Sequence, residues 1–107
     1  MTNKEFVKII RNRVLYNILE HYNSIINSRL ENCPTDTSKH FFEFFNSMSD
    51  GDKEILCKLN KFVIVDTIST LLGILDGTTI LREHREDFSL TYGDQPERIN
   101  RYLLDYF

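Results

Sequence analysis

The sequence predicts a mainly α fold: a compact bundle of about four helices, built as a single domain over residues 1–107. Three observations carry that prediction. Apolar residues recur every three to four positions through long stretches of the chain. Helix-start residues stand just ahead of those stretches, and a glycine closes the longest of them. The two-residue alternation of a strand appears between Thr78 and Tyr92, where it predicts a small β-hairpin or an extended excursion, a marginal α+β element.

The first helix opens at Thr2-x-x-Glu5. There the threonine hydroxyl can accept from an orphan amide and the glutamate can return the bond. Val7, Ile10, Val14, Ile18, Tyr22 and Ile25 follow at helical spacing and predict one helix over about residues 3–30, long enough to leave room for a kink or break near Asn23-Ser24. The stretch E-N-C-P-T-D-T-S then reads as a loop. A second helix starts near Thr35, Asp36 or Thr37 and carries Phe41, Phe42, Phe44, Phe45 and Met48, a side expected to be buried.

Ser49 and Asp52 are placed to cap a third helix over about residues 52–75, which Gly77 terminates in the left-handed region. Its first half is amphipathic. Its second half is apolar nearly all round, as befits the central helix of the bundle. A last helix is expected from Asp94-Gln-Pro-Glu97, burying Ile99, Leu103 and Phe107. The core expected from these elements is Leu59, Phe62, Val63, Ile68, Leu71, Leu72, Phe41, Phe45 and Leu103.

Composition narrows the functional classes. Apolar residues make up 41% of the chain and charged residues 27%, too apolar for a disordered chain. The net charge of -3 weighs against a dedicated nucleic-acid binder, whose footprint is basic. Within that total, residues 1–30 carry a local +3, so the basic excess belongs to the first helix. Cys33 and Cys57 are too few for a disulfide scaffold and suit a reducing compartment. The N-terminal M-T-N-K-E-F-V-K-I-I-R-N-R lacks the apolar core of a secretory signal, and Asp66, Ser69, Thr70 and Asp76 interrupt the longest apolar run. A cytoplasmic protein that neither enters nor crosses a membrane is the expectation.

Signatures of common enzymes are absent: no Gly-rich phosphate loop, H-E-x-x-H, EF-hand or G-x-S-x-G occurs among four glycines. The acid that stands out is Asp66, inside V-D-T-I-S-T-L-L-G-I-L-D-G. On a helix it shares a narrow stripe with Thr70, Gly73 and Gly77. That stripe suits solvent or a close helix crossing, a structural ion pair, or a ligand-binding carboxylate. The segment R-E-H-R-E-D at residues 82–87 surrounds His84 with Glu83, Glu86 and Asp87. It suits a charged surface loop, a protein-binding loop, or a proton-transfer site, and its spacing matches no metal-ligand pattern. Cys57 reads as a small core residue and Cys33 as the more reactive of the two.

The reading favours a non-enzymatic protein that binds another protein, without cofactor or metal. In size and acidity alone the chain is broadly similar to bacterial immunity and antitoxin proteins. That resemblance implies a basic toxin as partner, met by Glu83, His84, Glu86 and Asp87. A small enzyme or ligand-binding protein using Asp66 and His84 is the alternative. A second is a nucleic-acid accessory protein using Lys4, Lys8, Arg11 and Arg13, the first three on one stripe of the first helix. Self-association as a homodimer is a further expectation, since it would hide excess apolar surface.

Overall fold

The computed structural model describes residues 1–26, 35–78 and 87–107. Among them the chain is mainly helical, with four helices gathered into a bundle and no β-strand. The first is a continuous rod in three stretches: α1 (Asn3–Ile9), a π-helical stretch (Ile10–Tyr16) and α2 (Asn17–Ile26). It is followed by α3 (Asp36–Ser47), α4 (Asp50–Asp76) and the single turn α5 (Leu103–Tyr106).

The starts and the long helix's stop follow from local chemistry. Thr2 and Glu5 form the reciprocal capping box: the Glu5 amide donates to Thr2 Oγ1 at 3.1 Å and the Thr2 amide to Glu5 Oε2 at 2.8 Å. Thr35 caps α3 by accepting from the Ser38 amide, and Ser49 caps α4 by accepting from the Asp52 amide. Gly77, at φ 78°, ends α4 in the left-handed conformation that a glycine adopts without strain. The rod runs unbroken past Asn23-Ser24 to Ile26.

The π stretch departs from the expected single α-helix. Its wider turn advances each residue by less than the 100° of an α-helix. Leu15, which regular spacing would swing to the side of Val7, is thereby brought back beneath it, and both are buried. Tyr22, expected on the same apolar stripe, is exposed.

Val7 and Leu15 meet Ile68 and Leu72 of α4 and Leu103 of α5, with Ile10, Val14, Ile64, Leu75 and Phe107 packed around them. The first helix thus lies against the second half of α4, as its apolar pattern predicts. Each of these buried side chains contributes about 1.5–3 kcal/mol.

The C-terminal segment departs further. Residues 94–102 do not form the expected helix, and α5 alone is helical there. The Ile99 amide donates to Leu90 O at 2.8 Å, and Asn100, fully buried, spends its side chain on four partners. Its Nδ2 donates to Leu75 O at 2.5 Å and Phe88 O at 2.8 Å, while its Oδ1 accepts from the Leu90 amide at 2.7 Å and Arg98 Nε at 2.9 Å. A helix over these residues would break that set, so this irregular path wins over the helix-start signal of Pro96 and Glu97. Ile99 and Leu103 are nonetheless buried as expected. Phe88–Tyr92 forms no strand and is bonded to residues 99 and 100; of residues 78–81, its expected hairpin partner, 79–81 lie outside the described residues.

The bundle is drawn out. Its extents are 51 × 30 × 23 Å and its radius of gyration is 18.0 Å, against about 13 Å for a tightly packed chain near this length. The tight part is where the first helix, the second half of α4 and α5 meet. From there the first half of α4 extends outward, while α3 packs against α2.

Candidate functional site

The expected core is where sequence and structure part most sharply. Ile68, Leu72 and Leu103 are buried, but Leu59, Phe62, Val63, Leu71 and Phe41 are all exposed, and Phe45 is half-buried. Four large apolar residues of the first half of α4 form one stripe: Ile55 is 65% exposed, Leu59 55%, Phe62 69% and Val63 51%. At 100° per residue they span about 100° of the helix, centred on the side turned away from Ile64, Ile68 and Leu75. An amphipathic pattern marks an apolar face without saying what covers it. Here none of the described residues does.

A groove borders this stripe. Tyr22 of α2, Phe41, Phe44 and Phe45 of α3, and Leu56, Cys57 and Asn60 of α4 line a cavity of about 190 Å³. Leu56 lies about 20° of helix rotation from Val63, so stripe and groove form one strip of surface. The aromatic side of α3, expected to be buried, instead forms the groove's wall, with Phe44 61% exposed. Lys53 Nζ sits 5.3 Å from the centre of the Phe45 ring, a cation–π contact at the groove. Cys57 is a free, exposed thiol rather than a core residue. The signal that could have located this surface is the length of α4: 27 residues outrun a core whose buried α4 members begin at Ile68.

The other sequence-derived candidates fare differently. Asp66 is exposed, on the same side of α4 as the stripe and just beyond it, while Gly73 farther along is buried. Neither the buried ion pair nor an enclosed carboxylate describes Asp66. Glu83, His84 and Glu86 lie outside the described residues, so their convergence with Asp66 lies outside them too; Asp87 is exposed. His21 and His40 are exposed. Among the described residues, no three His, Cys, Asp or Glu side chains gather closely enough to hold a metal ion.

Lys4, Lys8 and Arg11 do share a face of the first helix, bordering a depression with Thr2, Glu5, Asn12, Tyr16 and Tyr106. Arg11 is committed to the fold, however. Its Nη2 donates to Tyr106 O at 2.6 Å and to Phe107 O, and its guanidinium lies over the Phe107 ring at 5.6 Å. Arg13 is exposed. The stripe offers two lysines where a phosphate-tracking surface needs a larger footprint. Glu5, in the same depression, has its carboxyl held below the ordinary carboxylate value, first by the hydrogen bond from the Thr2 amide.

Comparison with protein-family models, with curated proteins and with solved structures found no match. Among the described residues no helix is long and apolar enough to cross a membrane.

Proposed function

We propose that this chain acts as a non-enzymatic binding protein whose partner is another protein, and that it docks through the apolar strip of α3 and the first half of α4. One observation carries the reading: Ile55, Leu59, Phe62 and Val63 stand exposed together on one face. Leaving such a strip in water costs about 25 cal/mol per Å², and contiguous apolar patches beyond a few hundred Å² mark interaction sites on soluble proteins. Charged residues at its edge, Lys58 and Glu54, pair at 3.1 Å and provide the polar rim of such a contact. The reading moves the contact surface from the 83–87 segment, where sequence placed it, to α4. A reducing, cytoplasmic setting suits an exposed free thiol beside the groove.

The test is affinity capture from native extract with the wild-type chain and with the double substitution Leu59→Glu/Phe62→Glu, side by side. Both positions are more than half exposed, so the variant keeps the fold; circular dichroism checks that. The expected result is a stoichiometric protein held by the wild type and lost by the variant. Identical proteins on both baits would overturn the reading.

A further inference from the structure

Of the cavities, charged clusters and uncovered faces of this chain, the α4 stripe is the one whose borders also describe its occupant. We infer that it receives a basic amphipathic helix of a partner protein, one whose apolar seam is bracketed by lysine or arginine. This rests on the reading that the apolar strip binds protein, and it names the chemistry of the bound segment.

The charges on the stripe's own face are the first support. Asp52 and Asp66 stand fourteen residues apart, one beyond each end of the run from Ile55 to Val63. At 100° per residue both fall within about 40° of the stripe's centre, and no lysine or arginine of α4 does. Both residues are exposed, and among the described residues neither carboxylate enters an ion pair. The cations nearby are engaged or turned away. Lys58, on the stripe's flank, pairs with Glu54 at 3.1 Å. Lys53 lies over the Phe45 ring, and Lys61 falls on the far side of α4. The uncompensated charge along this face is therefore negative at both ends, and a basic partner is its complement.

Shape is the second. Ile55, Leu59 and Phe62 follow one another by four and then three residues, a ridge against which another helix packs with anchors at the same repeat. From Asp52 to Asp66 the helix rises about 21 Å, so about four turns of a partner helix reach both acids. The adjoining cavity of about 190 Å³, lined by Phe41, Phe44 and Leu56 among others, takes one large apolar anchor. Among the described residues no strand offers a free edge, so an extended segment finds no ladder to join here.

The same two acids weigh against a second copy of this chain as the occupant. Paired antiparallel about Leu59, two copies set Asp52 of each against Asp66 of the other. Paired parallel, they set each acid against its own counterpart. Like charges meet at both ends in either direction, where a basic helix makes an attractive pair.

Two designed peptides of about 18 residues test the inference by calorimetry with the full chain. Both carry leucine at three-and-four spacing. One has lysine at two positions separated as Asp52 and Asp66 are, and the other has glutamate there. The lysine peptide is expected to bind, the glutamate peptide about tenfold more weakly, and the difference to shrink as salt rises. Asp66→Asn and then Asp52→Asn/Asp66→Asn are expected to weaken the lysine peptide stepwise. Asp66→Asn leaves the capped first turn of α4 untouched, and circular dichroism checks the fold of both variants. Equal affinity of the two peptides, or binding of neither, would overturn the inference. Self-association that competes with the peptide and is lost on Leu59→Glu would overturn it too, by giving the stripe to a second copy. If capture by the wild type and its loss on Leu59→Glu/Phe62→Glu persist in any of these cases, the strip binds protein and only the basic helix fails.

Discussion

Both halves of α4 carry large apolar residues, and these meet opposite fates. From Ile64 to Asp76 the helix lies between the first helix and α5, with Ile68, Leu72 and Gly73 buried. From Asp50 to Val63 none of its residues is buried, and its largest apolar side chains face solvent. The difference is set by what the rest of the chain can reach. The π stretch turns Leu15 onto the face of Val7, and Asn100 holds residues 88–100 against the end of α4, so both devices add material to the second half. A helix long enough to carry two apolar faces therefore yields a core in one place and a surface in the other.

That contrast is open to direct attack. The largest expected effect is at Leu72, 3% exposed, where truncation to alanine leaves a cavity in the packed half. Leu72→Ala should cost about 3 kcal/mol in chemical denaturation. At concentrations where the chain is monomeric, Leu59→Ala should stay within about 0.5 kcal/mol of wild type. Equal losses would erase the distinction between the halves.

Next comes the clamp. Asn100→Ala removes two donors and an acceptor from a fully buried position and orphans the Leu90 amide and the carbonyls of Leu75 and Phe88. A loss of about 2 kcal/mol is expected, with faster amide exchange over residues 88–100 as its local signature. A smaller loss follows from Ser49→Ala, which removes the cap of the exposed half at a cost of about 1 kcal/mol.

The smallest effect concerns Glu5, whose carboxyl is held low by the Thr2 amide. The folded state favours its charged form, so its contribution is present above the unfolded carboxylate range and fades as pH falls through the lower folded value. Glu5→Gln should slightly lower neutral-pH stability, leave acid-pH stability alone, and so flatten the acid limb between them. An unchanged acid limb would show that this exposed bond carries no weight.

How much was legible in the sequence divides along the same line. Thr2, Thr35, Ser49 and Gly77 act on amides and carbonyls within a few residues of themselves, so their roles could be read directly. The π stretch has no such local mark. Pro96 and Glu97 are sound helix-start residues, but the bonds that overrule them come from Leu75, Phe88 and Leu90, remote in sequence. Phe41, Leu59, Phe62 and Val63 were expected in the core because periodicity identifies a face that prefers to be covered. Whether this chain or another covers it is a property of the whole fold. Asp66, the acid that looked out of place among apolar residues, sits at the end of that uncovered face.

The most direct test of the account is hydrogen exchange across α4, measured on the full chain. The account predicts strong protection over residues 64–76 and weak protection over residues 50–63, where no side chain is buried. Protection of the first half equal to that of the second would contradict it.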